Sequence, residues 1–209
     1  MPGSIRPFVT TVVIAVSLAP VGRAQSAAQN AIDAERLVSA LALQAGQTVC
    51  EIGAGEGELT VALGRVVGET GHVLSNDLNP KMLTSLRKAV EAAGLHNVTI
   101  VEGRGTETNF PNAACDAVFM RDVYHHFGDP TAMNASIRQS LKVGGRLAII
   151  DFTPPPGGEN PPGKRGLDNH HGITAPTLER ELQEAHFEIV SSTTPEPRSI
   201  FVVARRPPE

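Results

Sequence analysis

Val49-Cys50-Glu51-Ile52-Gly53-Ala54-Gly55-Glu56-Gly57 runs an apolar strand into a glycine-rich turn that opens a helix. Glycine suits such a turn because it adopts unusual φ angles and lets a ligand approach the backbone without a Cβ in the way. The dinucleotide fingerprint spaces its glycines G-x-G-x-x-G and places a pyrophosphate at the helix N-terminus. Here the spacing is G-x-G-x-G, with Glu51 before the turn and Glu56 inside it. Carboxylates there repel an anion and suit a cation, which points to a sulfonium or ammonium group. A second acid stands in Asn76-Asp77-Leu78, at the end of the next strand-like run. A carboxylate in that position is placed to accept both ribose hydroxyls of an adenosine, although it also suits a simple turn cap.

On both sides of this turn, short apolar runs alternate with helical runs, as in parallel βα units. Asn30 to Leu43 sets Ile32, Leu37 and Leu41 on one helical stripe that ends at Gly46, a lid or edge helix. Strands are expected at Thr48–Ile52, His72–Asn76, Asn97–Val101, Cys115–Met120 and Gly145–Asp151. Helices are expected at Leu59–Val67, Pro80–Ala93 with Asn79 as N-cap, Pro130–Leu141, and Ala175–Ala185 capped by Thr174. Two last strands, Phe187–Ser192 and Ser199–Ala204, are joined by Pro195-Glu196-Pro197, so they pair as a hairpin and one runs antiparallel. Pro154 to Gly163 is too rich in Pro and Gly for a helix or central strand. It is either a lid hinged at Gly157, Gly158 and Gly163 or a stiff solvent loop.

The whole chain has 209 residues, with 18 Lys and Arg against 22 Asp and Glu, a net charge of −4. No basic field exists to hold a nucleic acid, and with aromatics at 4% there is no stacking platform for a single strand. Met1 to Arg6 is basic, Phe8 to Pro20 is uncharged, and Gly22-Arg23-Ala24 places small residues before a cut after Ala24. This is the pattern of a secretory signal peptide over residues 1–24, cleaved or kept as a tether, followed by one domain over 27–206. Export to the periplasm or the extracellular space is expected, without stable membrane insertion after cleavage. A mis-assigned start would instead leave the protein cytoplasmic. The two cysteines, Cys50 and Cys115, fall in different strands. With the carboxyl ends of those strands level, Cys50 lies opposite Val118, and a regular strand puts Cys115 roughly 10 Å away. Two buried free thiols are therefore expected.

Taken together, these pieces resemble the class I S-adenosylmethionine-dependent methyltransferases of small-molecule type, over about Asn30 to Arg205. Leu141-Lys142-Val143-Gly144-Gly145-Arg146-Leu147 is similar to the family's turn before strand five, its glycines reversing the chain. Asp116 to Phe127, which includes Arg121-Asp122-Val123-Tyr124-His125-His126, resembles the fourth strand and following loop. The resemblance implies a Rossmann-like α/β three-layer sandwich. Its seven-stranded, mostly parallel sheet would have the order 3-2-1-4-5-7-6, with the terminal hairpin on one edge and one antiparallel edge strand. It also implies S-adenosylmethionine as cofactor. Glu51, Gly53, Ala54, Gly55 and Gly57 would meet its methionine part, Asp77 its ribose and Leu78 its adenine, with Arg104, Gly105 and Arg121 also in the cofactor site. One departure stands out: relatives commonly end strand three in Gly-Asp, whereas this chain has Gly103-Arg104. Arg104 cannot accept the adenine amino group's hydrogen bond, so the backbone around Arg104 and Gly105, or Glu107, has to take that part.

Direct methyl transfer to a small-molecule acceptor is the expected activity. A base would be needed for a hydroxyl or protonated amine, and the candidates are His125, His126 and Asp122, with Tyr124, Asp151, Asp168, His170 and His171 nearby in sequence. Loop histidines that only shape the pocket are the simpler alternative. Pairs of adjacent histidines with these aspartates also suggest a transition-metal set. However, adjacent side chains point apart and no H-x-x-x-H spacing occurs, so no metal is expected. Two other functions stay open: exported binding of the cofactor or its demethylated product without catalysis, and a dinucleotide-dependent reductase.

Overall fold

The computed structural model describes residues 21–155, 158–165 and 172–208, with side chains from residue 27 onward. Its elements run α1 Val21–Leu41, β1 Thr48–Ile52, α2 Glu58–Val67, β2 His72–Asp77, α3 Pro80–Ala92, β3 Val98–Glu102 and β4 Cys115–Arg121. After a 3₁₀ turn at Tyr124–His126 come α4 Pro130–Ser140, β5 Leu141–Phe152, α5 Ala175–Glu184, β6 Glu188–Thr193 and β7 Ser199–Arg205. Residues 1–20 of the expected leader lie outside those described, while its last four residues and the expected cut after Ala24 lie within α1. That helix starts earlier than its apolar stripe indicates, since VGRAQSAAQ is rich in the strong helix formers Ala, Gln and Arg.

The seven strands form one sheet of order β3-β2-β1-β4-β5-β7-β6, as expected. Neighbours from β3 to β5 pair in parallel, and β7 runs antiparallel to both β5 and β6. The antiparallel strand is thus the inner member of the terminal hairpin, and β6 forms the outer edge. Apolar residues cover both faces. Leu37 and Leu41 of α1, Leu59 and Leu63 of α2, and Val49, Phe119 and Ala148 of the sheet form one core. Cys50, Val118, Met120 and Ile149 pack with Ile137 of α4 and Leu178 of α5 on the other side. Asn79 caps α3, its side chain accepting from the Lys81 amide at 3.0 Å, and Thr174 caps α5.

The Leu141–Gly145 segment was expected as a turn but runs as the start of β5. Leu141 pairs with Cys115 while Arg146 pairs with Ala117, so the extra residues bulge out of the ladder. Gly144 takes φ 80° there, and its amide donates to the Arg206 carbonyl at 2.8 Å.

The same irregularity overturns the expectation of free thiols. Cys50 pairs with Val118 as anticipated, yet Cys50 and Cys115 are joined by a disulfide with Cα atoms 5.8 Å apart. Regular alternation would put Cys115 on the face of Ala117 and Phe119. Instead it packs with Val118, Met120 and Cys50, because a slip of the ladder between Cys115 and Ala117 carries it to the other face. Both cysteines are fully buried. In the chain-entropy model, a link spanning 65 residues contributes about 4 kcal/mol. Replacing both cysteines by alanine is expected to lower the urea unfolding free energy by about that amount, and thiol titration of the denatured, unreduced protein should find no free thiol.

Candidate functional site

The glycine turn is tied down from β2. Three successive amides, those of Gly53, Ala54 and Gly55, donate to the Asn76 side chain at 3.2 Å, the Asn76 carbonyl at 2.8 Å and the Asp77 carboxylate at 2.9 Å. Gly53 and Gly57 have φ of 71° and 90°. A Cβ on Gly53 would collide with Val123, and one on Gly57 would come within 2.6 Å of Leu86, so neither position tolerates a side chain. The other Asp77 oxygen accepts from the Asn79 amide at 2.8 Å, which leads the chain into α3.

Beside this turn lies a cavity of about 730 Å³, within the range of small-molecule sites. Ile52, Gly53, Asp77 and Leu78 line one side of it, and Phe127 and Met133 another. Leu78 is 62% exposed, an apolar side chain facing open space. Residues Gly103 to Thr106 form a further wall. Arg104 points its exposed guanidinium at Glu107, 3.5 Å away, and Glu107 does not line the cavity.

A smaller cavity, about 230 Å³, lies over Glu51 and Gly53–Glu56, and a third, about 470 Å³, lies between α1, the ends of β4 and β5, and the turn before β7. Arg121 and Asp122, at the end of β4, line all three. Asp122 adopts φ 57°, a left-handed conformation that Asp tolerates better than most residues, and its amide donates to the Ile150 carbonyl at 2.9 Å. Burial, then the nearby Asp151 carboxylate, raises its pKa. Arg121 donates to Asn30 at 2.5 Å and Asp33 at 3.2 Å, which fastens α1 over the junction. Arg36 adds ion pairs to Asp33 and to Glu196 of the hairpin turn, each 3.5 Å. Asn30 and Asp33 were not foreseen as site residues. They are two of many polar residues in this helix, and polar residues of this kind more often face solvent.

The paired histidines meet different surroundings. His125 is buried, its Nδ1 2.8 Å from Asp151 Oδ1 and its amide donating to Oδ2 at 3.1 Å, and it lines none of the three cavities. His126 lines the large cavity, its ring centroid 3.9 Å from that of His125 and tilted by 43° to it. Tyr124 is fully buried: its hydroxyl donates to Glu181 at 3.1 Å and accepts from Asn134 at 2.7 Å. Burial, followed by the Glu181 charge, raises its pKa. Arg165 pairs with the same Glu181 at 2.5 and 3.0 Å, and Glu159 accepts from the Thr174 amide at 2.5 Å. The proline-rich segment is therefore anchored on α5 at two points, with Gly163 at the rim of the large cavity. Gly157, Asp168, His170 and His171 lie outside the described residues. Among those described, no three His, Cys, Asp or Glu side chains are grouped to hold a metal.

Glu51 faces inward. It is 4% exposed and accepts from the hydroxyls of Thr60 and of Ser75, the latter at 3.1 Å. Burial pushes its pKa up to about 7, against the pull of those two hydroxyls and of Arg121. Above its ordinary value of 4.5, the unfolded chain releases a proton that the folded protein keeps until about pH 7. Its contribution to stability is complete below pH 4.5 and is lost as pH rises through 7, a change on the order of 3 kcal/mol. Glu51→Gln, which does not titrate, should therefore gain stability on wild type by about that amount between pH 4.5 and 8, read by urea unfolding of both proteins.

Residues 50–149 match the family model described as "Methyltransferase domain". The ubiquinone/menaquinone biosynthesis C-methyltransferase UbiE of Vibrio vulnificus is 34% identical over 111 residues, 53% of this chain and 43% of that relative, so the chain spans under half its length. A SAM-dependent methyltransferase from Aquifex aeolicus superposes with TM-score 0.70 at 23% identity, over 83% of this chain and 89% of the other. The Haemonchus contortus phosphoethanolamine N-methyltransferase 2, solved in complex with S-adenosyl-L-methionine, gives 0.72 at 18% identity over 87% and 53%. The chain has the seven-stranded fold of S-adenosylmethionine-dependent methyltransferases, and its residues 50–149 match their methyltransferase domain.

Proposed function

We propose that the protein transfers the methyl group of S-adenosylmethionine to a small-molecule acceptor by direct displacement. The observation that carries this is the fate of the glycine-turn amides. Those of Gly53, Ala54 and Gly55 are already received by Asn76 and Asp77, so they do not form a phosphate cradle. The Asp77 and Asp122 carboxylates border the large cavity, and Asp122 the smaller one over the turn as well, a setting that suits a cation and disfavours a pyrophosphate.

The residues fit the cofactor. Leu78 offers an apolar face to adenine, and the Gly103–Thr106 backbone takes the part of the absent strand-three acid. Asp77 keeps lone pairs for ribose hydroxyls beyond the two amides it holds. Gly53–Gly57, with Glu51 beneath, would hold the methionine part. When bound, the cofactor supplies a methyl group already activated on sulfur. What remains for the protein is placement and exclusion of water. Arg121 serves both by joining the strand end to the covering helix α1. Asp122, His126 and His125 differ in reach: Asp122 faces all three cavities, His126 one, and His125 is engaged with Asp151. Asp122 is the proposed base, with His125 a positioning residue under the loop.

Export is proposed from the leader pattern in residues 1–24. The buried Cys50–Cys115 disulfide supports it, since such links persist in oxidising compartments. Mass spectrometry of the protein from its native host should give a mature N-terminus at Gln25, and an intact Met1 would overturn cleavage. For the cofactor, calorimetry should find binding of S-adenosylmethionine and S-adenosylhomocysteine and none of NAD. Asp77→Ala should weaken binding by about 2 kcal/mol, for two lost charge-assisted hydrogen bonds. Binding of NAD alone would overturn the proposal, and cofactor binding with no acceptor turned over would favour a passive binder.

A further inference from the structure

We infer that the methyl acceptor is a small amine carrying its own anionic group, held in the cavity between α1, the ends of β4 and β5, and the turn before β7; this rests on the proposed methyl transfer. The cavity, about 470 Å³, is walled by charges of both signs. Most are paired with one another: Arg36 with Asp33 and Glu196, Arg121 with Asp33, and Asp151 with His125. Two are not consumed in this way. The Asp122 carboxylate has no hydrogen-bond or ion-pair partner among the described residues. Arg198 donates from Nε and Nη2 to the Thr153 carbonyl, at 3.3 and 2.9 Å, which leaves Nη1 for a ligand. One anion and one cation with no charged partner among the described residues, in one small cavity, call for a ligand with the opposite pair of charges.

Among the described residues, Ile150, Phe152 and Pro197 add apolar surface and Phe152 is the one aromatic, its ring 4.7 Å from that of His125. A quinol ring with a prenyl tail would leave these charges desolvated and unmatched, at a cost that its own contacts do not recover. An ammonium beside Asp122 is instead matched, and the carboxylate's raised affinity for protons equips it for the next step. The amine gives its proton to Asp122. Its nitrogen lone pair then forms the N–C bond as the C–S bond breaks, and the sulfur leaves with that electron pair as a neutral thioether.

Calorimetry on the full chain tests this in two stages. S-adenosylhomocysteine is titrated first, and then N-methylglycine, phosphoethanolamine or a short-chain demethylated menaquinol is titrated into the saturated complex, with methyl transfer followed by mass spectrometry. At least one of the two anionic amines is expected to bind and be methylated, and the quinol to do neither. Arg198→Gln should weaken acceptor binding at least tenfold without altering S-adenosylhomocysteine affinity, and Asp122→Asn should lower kcat at least tenfold. If the saturated complex binds neither amine, or methylates the quinol in preference, the inference falls while the proposed function stands. Failure of S-adenosylhomocysteine to bind overturns both.

Discussion

Two residues at the end of β2 hold the whole ligand-facing turn. Asn76 and Asp77 receive three consecutive amides of the glycine segment, and the Asn76 side chain also donates to the Thr108 carbonyl at 2.7 Å. Buried amides need partners, and here the partners come from the neighbouring parallel strand rather than from a ligand. Strand ends and turn are thereby locked to one another. This arrangement also leaves the Asp77 and Asp122 carboxylates, rather than unpaired turn amides, bordering the cavity, and the proposed preference for a cation follows from it.

The second constraint is charge crowding where β4 ends. Arg121 sits among Glu51, Asp33 and Asp122, and the site distributes its negative charge unevenly. Asp33 is neutralised by Arg121 and Arg36. Glu51 is driven toward its protonated form by burial, with its pKa near 7. Asp122 alone keeps an open face. Such divergent environments for neighbouring carboxylates allow one to act as a structural acceptor and another as a base. The relatives and structural neighbours are named for quinone C-methylation and for amine N-methylation, so one fold carries different acceptors. The cavity proposed for the acceptor is bordered by α1 and the β6–β7 turn, both outside the matched residues 50–149, as well as by Arg121 and Asp122 within them.

Most of the framework was legible in the amino-acid order because it rests on local physics. Alternating apolar and helical runs located the strands to within a few residues, and Asn79, Thr174 and Pro80 marked helix starts by hydrogen bonds formed within one turn. The site was legible in part. Gly53, Asp77, Leu78, Arg104, Gly105 and Arg121 do line the large cavity, since each stands at a strand end or the turn that follows it. The sequence was misleading wherever one residue's slip changed a face. Cys115 looked three regular steps from its partner's level, and a single irregularity in the ladder brought it beside Cys50.

The positions of strands and helices, the glycine turn, the acid at the end of β2 and the absence of a basic field are properties of the sequence alone, because periodicity and residue chemistry act over a few positions. The disulfide, the fastening of α1 through Asn30 and Asp33 onto Arg121, the burial of Tyr124 against Glu181 and Arg165, and the engagement of His125 with Asp151 while His126 lines the cavity were decided only by the tertiary structure. Each depends on groups far apart in the chain, such as Asn30 and Arg121, 91 positions apart. No local preference encodes such a meeting. Only the packed sheet, with helices on both faces, determines which of many polar side chains finds which partner and which is left facing the cavity.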